Sequence, residues 1–345
     1  MKRLPFLVLG LMLMSSVAAQ AADDFDAILA LFNPPLGKNI PNEANKGTKA
    51  KVDLGRQLYY DKRLSKNHDI ACNSCHMLDK FGVDGDATSV GHKGQRGGRS
   101  APTVYHAAGH IAQFWDGRAK DVEEQAKGPI LNPIEMAMPN EEAVLKVVNS
   151  MPEYVAAFKK AFPKDKDAVT YDNLGKAIGA FERGLVTPSK FDKFAAGDRN
   201  ALKDAEKQGF KDFVTIGCAT CHKGTYFGGD SYQKLGLVKA WPKAKSKDQG
   251  RFEVTKKEED RMKFKVPSLR NIAKTGPYFH DGSAKKLPEA IRLMGRHQLG
   301  RELTADQVKS IATFLRSLTG RINKKYTAEP ELPASTDATP KPDPS

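Results

Sequence analysis

The chain has 345 residues, 40% of them hydrophobic and 28% charged, and a formal net charge of +14. This composition excludes wholesale disorder, collagen and coiled coil, and four cysteines are too few for a disulfide-rich scaffold. The length favours two domains, because single hydrophobic cores stop growing at about 250–300 residues.

Residues 1–21 have the pattern of a secretory signal peptide. Lys2 and Arg3 precede an apolar stretch, and Ala19-Gln20-Ala21 forms a small-x-small cleavage site. An uncleaved anchor is the alternative, but the apolar stretch is shorter than the about 20 residues that span a bilayer. We expect cleavage after Ala21 and export to the periplasm, and the loss of two positive charges lowers the net charge from +14 to +12.

All four cysteines fall in two C-x-x-C-H motifs, Cys72-Asn73-Ser74-Cys75-His76 and Cys218-Ala219-Thr220-Cys221-His222. Two thiols at this spacing can form thioethers with one haem, and the adjacent histidine then becomes an axial ligand of the iron. The halves of a zinc site usually lie about 15–20 residues apart, whereas these motifs begin 146 residues apart. A redox dithiol would need a βαβ context, which is not apparent. We therefore expect two covalently bound haem c groups.

His92 stands out among the six remaining histidines because of its surroundings. It lies in the segment from Gly91 to Arg99, which has four glycines among nine residues. A lone histidine is more often a polar surface residue than a ligand. Glycine gives this segment wide backbone freedom, however, so His92 could bind iron in one state and leave it in another.

Several segments repeat apolar residues with the period of an α-helix. Asn140 is a candidate N-cap, and Thr304 with Gln307 forms a capping box for a helix that Gly320 would close. The apolar positions are Val144, Leu145 and Val148 in the first of these helices, Val308, Ile311, Phe314, Leu315 and Leu318 in the second, and Leu174, Ala177, Ile178, Phe181 and Leu185 in a third between them. No long period-2 run stands out, so the sequence predicts a mainly α protein.

This pattern predicts two cytochrome c-like haem domains with long loops, one around each motif. We expect the N-terminal haem domain at residues 22–186 and the C-terminal haem domain at residues 187–325. Residues 326–345 are rich in Pro, Thr, Asp and Glu, which predicts a disordered tail.

Met294, in a predicted helix from Leu287 to Met294, is the candidate second ligand of the C-terminal iron. A thioether opposite histidine raises the reduction potential of haem iron. A core methionine is an equally good interpretation on the sequence alone, and Met262, in the charged run 256–265, is the competing ligand.

Longer strings complete the pattern around the two motifs. They include Gln113-Phe114-Trp115-Asp116-Gly117-Arg118, Val266-Pro267-Ser268-Leu269-Arg270-Asn271 and Pro277-Tyr278-Phe279-His280-Asp281-Gly282. With these strings, the chain resembles the bacterial dihaem cytochrome c peroxidases from about Val52 to Gly320. The resemblance implies that the N-terminal haem reduces hydrogen peroxide and that the C-terminal haem accepts electrons from a small c-type cytochrome or a similar donor.

The resemblance also implies roles for individual residues. His76 and His222 match the proximal ligands, His92 the distal ligand that blocks the resting N-terminal iron, and Met294 the distal ligand of the other iron. The remaining matches are Trp115 between the haems, Gln125 and Glu135 in the distal pocket, and Ser100, Thr275 and Pro277 at a calcium ion between the domains. Taken alone, Glu135 and Gln125 are more typical of surface residues and Trp115 equally of a core. The family often has Asn where this chain has Ser100.

Three functions fit these observations. The first is the peroxidase, the second is a dihaem electron carrier with both irons permanently six-coordinate, and the third is a side-chain oxidase like the dihaem enzymes that mature methylamine dehydrogenase. The glycine-rich loop argues against the second, and Met294 argues against the third because that branch has Tyr there. The positive charge suits an acidic donor surface or an anionic membrane face. We expect no nucleic-acid partner, and a homodimer is left open.

Overall fold

The computed structural model describes residues 25–32, 36–241 and 248–345. The predicted signal peptide, residues 1–21, lies outside the described residues. Every helix within them is too short or too polar to cross a membrane.

The fold is mainly helical, as predicted, with long connecting loops. The helices are α1 (Lys49–Tyr60), α2 (Cys72–Cys75), α3 (Val122–Gln125), α4 (Gly128–Leu131), α5 (Glu141–Asn149), α6 (Pro152–Ala161), α7 (Tyr171–Glu182), α8 (Lys190–Ala195), α9 (Asp204–Ile216), α10 (Phe252–Thr255), α11 (Leu287–Gln298), α12 (Ala305–Ser317) and α13 (Lys324–Thr327). Strands β1 (Tyr232–Lys234) and β2 (Lys263–Lys265) form a small antiparallel sheet in which Gln233 is paired with Phe264.

The predicted helix starts are confirmed. Asn140 accepts a hydrogen bond from the Ala143 amide at 2.9 Å and caps α5. Thr304 and Gln307 exchange the two hydrogen bonds of a capping box at the start of α12, at 3.2 and 3.0 Å. Gly320 has another role than the one expected. A Cβ there would lie 1.8 Å from the carbonyl oxygen of Thr187, so this glycine is required by a close backbone approach.

Two apolar cores carry the fold. The first is built on α1, α5, α6 and α7, and the second on α8, α9, α11 and α12. Helices α1 and α7 touch at Gly55, where a Cβ would lie 1.8 Å from the carbonyl oxygen of Ala177. The second core is a cluster of aromatic rings, with Phe191 and Phe227 at 4.9 Å and Phe210 and Phe314 at 5.0 Å between centroids. Each core lies beside one of the two C-x-x-C-H motifs.

The N-terminal segment does not belong with the core that follows it in the chain. Residues 25–32 pack on the second core, where Leu29 and Phe32 are buried and the Phe32 ring stacks on Phe227 at 4.6 Å. This corrects the predicted start of the N-terminal domain at residue 22. The physical reason is that the second core is rich in aromatic surface that these apolar side chains can cover.

The C-terminal tail is ordered against the first core, which corrects the prediction of disorder. Tyr326 stacks on Phe181 at 5.2 Å and donates its hydroxyl proton to the Phe181 carbonyl. Further along, the Arg63 guanidinium donates to the Pro333 carbonyl at 2.8 Å, and Thr336 donates to the Ser150 carbonyl at 2.8 Å. A proline-rich segment loses little backbone entropy when it is held in this way. Its partners lie far away in the sequence, so its composition gave no sign of them.

Candidate functional site

A cavity of about 720 Å³ reaches from the first core to the second and is lined by both C-x-x-C-H motifs. Ile178 lines it on the side of the first core, and Ile311 and Leu315 line it on the side of the second. The volume lies in the range of cofactor sites in proteins, and the apolar side chains suit a large flat hydrophobic group.

The four cysteines all line this cavity, and none forms a disulfide. Burial raises the pKa of Cys75 to about 11 and that of Cys218 to about 12, so these thiols are protonated at neutral pH. Within the described residues, no three His, Cys, Asp or Glu side chains are grouped as a metal-ion site. The thiols are thus unpaired and available for thioether bonds to a haem.

The two motif histidines are oriented by main-chain carbonyls. Nδ1 of His222 lies 3.0 Å from the Phe227 carbonyl oxygen, and Nδ1 of His76 lies 3.4 Å from that of Gly82. A metal-binding histidine commonly donates its other ring N–H in this way, which leaves Nε2 for the metal. The Tyr59 hydroxyl also donates to the His76 carbonyl at 2.8 Å. The residues of both motifs therefore fit a haem with an axial histidine.

Met294 lines the same cavity as the second motif, from the middle of α11. The competing residue, Met262, is not among the residues that line the cavity and lies in the loop before β2. The geometry therefore favours Met294 over Met262 as the second ligand of the C-terminal iron.

Glu135, Gln125 and Trp115 also line the cavity. Burial raises the pKa of Glu135 above its usual range, and this effect outweighs the opposing influence of Arg118 and Asn132. Gln125 is the last residue of α3. Trp115 is held by a hydrogen bond of 2.9 Å from its indole N–H to the Ser100 carbonyl. The structure thus brings these three side chains and both motifs to one cavity.

A second cavity of about 240 Å³ adjoins the first. Five residues line both cavities: Phe114, Arg118, Pro129, Asn132 and Glu135. The Arg118 guanidinium lies over the Phe114 ring at 3.4 Å from its centroid. Glu135 therefore lies between the main cavity and the smaller one. The smaller cavity is also lined by the exposed Glu124.

His92 is not brought together with the other predicted ligands, because it is not among the residues that line the main cavity. Its side chain is buried, and its Nδ1 has no hydrogen-bond partner in the described chain. Its amide is held by the carbonyls of Ile134 and Glu135 at 3.0 and 2.9 Å. A Cβ on Gly91 would lie 1.9 Å from the Ile134 carbonyl oxygen, so this glycine permits a close approach in addition to backbone freedom.

The three residues of the predicted calcium site, Ser100, Thr275 and Pro277, line the main cavity. The Ser100 carbonyl already accepts the Trp115 indole N–H, and the Ser100 amide donates to the His280 carbonyl at 2.6 Å. The Ser100 backbone thus connects Trp115 with the segment around His280.

Sequence reasoning missed several polar residues that line the cavity, among them Glu182, Lys265 and His110. Glu182 is 4% exposed, and burial raises its pKa to about 8. Glu182 ends an amphipathic helix and Lys265 lies beside a charged run, so local patterning predicts both at the surface. Only the packing of the two cores over them reveals their burial.

Two haem-attachment motifs on one cavity, in a mainly helical chain with two cores, define the class of di-haem c-type cytochromes. The model of the di-haem cytochrome c peroxidase family matches residues 49–200. The chain is 45% identical to cytochrome c551 peroxidase of Pseudomonas aeruginosa, over 97% of this chain and 98% of that protein. It is 50% identical to cytochrome c551 peroxidase of Nitrosomonas europaea, over 85% of this chain and 86% of that protein.

Among solved structures, a MauG-like protein associated with microbial copper homeostasis matches with a TM-score of 0.75 and 28% identity. The match covers 87% of this chain and 97% of that one. The chain belongs to the di-haem cytochrome c peroxidase family. It is therefore an enzyme with two haem groups.

Proposed function

We propose that this protein reduces hydrogen peroxide to water in the periplasm, with electrons from a small c-type cytochrome or a similar redox protein. The observation that carries the proposal is the cavity that both C-x-x-C-H motifs share with Met294, Trp115 and Glu135. The names of the peroxidase relatives support the substrate and the donor, and the pattern of residues 1–21 supports export.

Cleavage of the O–O bond consumes two electrons and two protons and releases two water molecules. When bound through Cys72 and Cys75, the N-terminal haem supplies the iron at which peroxide is reduced, and the haem on Cys218 and Cys221 supplies the route for electrons. The protein must hold these groups, deliver protons and leave one coordination position open.

Glu135 is the proposed acid/base group of the reaction. Its raised pKa makes the carboxyl group a better proton carrier near neutral pH, and it can move a proton from one peroxide oxygen to the other. Gln125 can donate and accept hydrogen bonds without changing its charge, so its proposed role is to orient the peroxide. Trp115, held by Ser100, offers an aromatic system for electron transfer between the haems.

A calcium ion at Ser100, Thr275 and Pro277 is part of the proposal. Hard cations of this kind take oxygen ligands, including backbone carbonyls. Ser100 and Pro277 are 177 residues apart in the chain, and both line the main cavity. An ion there would stabilise the position of Trp115 through Ser100.

Steady-state turnover tests the proposed function. Reduced donor cytochrome should be oxidised on addition of hydrogen peroxide, with two donor molecules consumed per peroxide. The control is the same enzyme with an added strong ligand such as cyanide, which would occupy the N-terminal iron and block the access of peroxide. Donor oxidation that is no faster than in this control would contradict the function.

Met294 is expected to set a high potential at the C-terminal haem. The change Met294→His should lower that potential and slow electron transfer from the donor, because a thioether favours ferrous iron more than a second imidazole does. A spectroelectrochemical titration measures the potential. Met262→His is the matched control and should leave it unchanged, and an unchanged potential in Met294→His would show that another residue is the ligand.

Activity is expected to be gated by His92. With both haems bound, His92 would hold the N-terminal iron in the resting ferric enzyme, and reduction of the other haem would favour a second arrangement of the loop 91–99. Two observations support such an arrangement: the His92 amide is bonded to the carbonyls of Ile134 and Glu135, and His92 itself is not among the residues that line the cavity. Fully oxidised His92→Gly protein should therefore react with peroxide at once, as followed by the N-terminal haem spectrum.

The control for this gate is Lys93→Gly, which alters the same loop but keeps the imidazole. It should remain slow when fully oxidised, like the unaltered enzyme. If the unaltered oxidised enzyme reacts as fast as His92→Gly, His92 does not obstruct the iron.

A further inference from the structure

A buried lysine lies in the cavity without a carboxylate partner. Lys265, the last residue of β2, is 7% exposed. Its Nζ donates to the Ala112 carbonyl at 2.6 Å and lies 3.4 Å from Nδ1 of His110. In the described chain, no carboxylate oxygen forms an ion pair with it. Burying an ammonium group is costly unless an opposite charge accompanies it.

The nearest source of negative charge inside the protein is already used. Asp116 favours the charged form of Lys265, but its carboxylate is bound by Arg99 at 2.5 Å and by Arg118 at 3.1 Å. Burial disfavours the charged ammonium, and it lowers the pKa of Lys265 to about 8 despite the opposing influence of Asp116. The lysine therefore lacks a counter-ion, while it lines the cavity that both haem motifs share.

His110 lies beside this ammonium and orients it through its Nδ1. Burial and the charge of Lys265 hold its pKa well below the usual range, so the ring is neutral. Because its Nδ1 faces the Lys265 ammonium, the proton lies on Nε2, which is buried and has no partner within the described residues. Gly229 makes room for this ring, since a Cβ there would lie 2.3 Å from Cδ2 of His110.

We propose that Lys265, oriented by His110, binds a carboxylate at the junction of the two cores, and that this carboxylate is a propionate group of a bound haem. The inference rests on the proposed attachment of two haem c groups. A buried ammonium without a counter-ion, in a cavity that a carboxylate-bearing group would fill, matches an anionic partner. Haem is an apolar group that brings such carboxylates into the cavity with it.

The position of Lys265 links this site to the electron path. Its amide donates to the Trp115 carbonyl at 2.8 Å, so the strand that carries the ammonium also holds the predicted inter-haem residue. A fixed positive charge at a haem edge stabilises the reduced haem, which carries one positive charge fewer. Lys265 should therefore raise the potential of the haem whose propionate it binds.

Replacing Lys265 by Met tests this role through a spectroelectrochemical titration. With two haems still bound, the midpoint potential of one haem should fall, and Lys265→Arg should restore most of it because the positive charge is kept. Lys263→Met is the matched control, because Lys263 is in the same strand but its Nζ lies 3.1 Å from Asp260. That variant should leave both potentials unchanged.

A second readout does not depend on the folding of Lys265→Met. The change His110→Phe keeps an aromatic ring but removes the Nδ1 that contacts the ammonium, so it should shift Lys265 and with it the haem carboxylate bands in the redox-difference infrared spectrum. Unchanged potentials in Lys265→Met, or unchanged carboxylate bands in His110→Phe, would overturn the site. Peroxide turnover by the unaltered enzyme is measured alongside, so a failure of this site remains distinguishable from a failure of the proposed function.

Discussion

The double change Cys72→Ser/Cys75→Ser is expected to abolish peroxide reduction and to leave one haem per chain. Both thiols line the cavity unpaired, and serine hydroxyls do not form thioethers with vinyl groups. The N-terminal haem would then lose its covalent attachment while His76 alone remained. Acid–acetone extraction followed by a pyridine haemochrome assay counts the haem that stays on the polypeptide.

The matched variant is Cys218→Ser/Cys221→Ser, which should also leave one haem but keep the spectrum of the N-terminal one. Comparing the two variants assigns each haem spectrum to its motif. If extraction removes either haem from the unaltered protein, the haems are not covalently bound and the interpretation of the motifs is wrong.

The change Glu135→Gln is expected to reduce peroxide turnover by about 10²–10⁴-fold, the usual contribution of a general acid–base group. Glutamine keeps the shape of the side chain but cannot exchange a proton. The haem spectra and potentials should change little, because Glu135 is not a proposed ligand. Stopped-flow mixing of half-reduced enzyme with peroxide measures the chemical step directly.

Glu142→Gln is the control for this variant, because Glu142 is exposed on α5 and does not line either cavity. It should retain the rate of the unaltered enzyme. Since burial raises the pKa of Glu135, its protonated form should persist to higher pH than that of an ordinary glutamate. Turnover of Glu135→Gln close to that of Glu142→Gln would assign Glu135 a structural role only.

The sequence was most informative where a single short segment contains the whole signal. The two C-x-x-C-H motifs each place three haem-binding groups within five residues. The capping residues Asn140 and Thr304 bond to amides three positions along the chain, as predicted. Local hydrogen bonds and covalent spacing are determined by the order of residues, so they could be found without the fold.

The tertiary structure decided which side chains meet across distant parts of the chain. It placed residues 25–32 on the second core and the C-terminal tail against the first core. The apolar rings and carbonyl groups that these segments contact lie far from them in the sequence, so the order of residues does not reveal the contacts. It also buried Lys265 beside His110, 155 residues earlier in the chain. The sequence by itself determined the haem-binding motifs and the helical class. The burial that leaves a lysine without a counter-ion arises only when the two cores pack around one cavity.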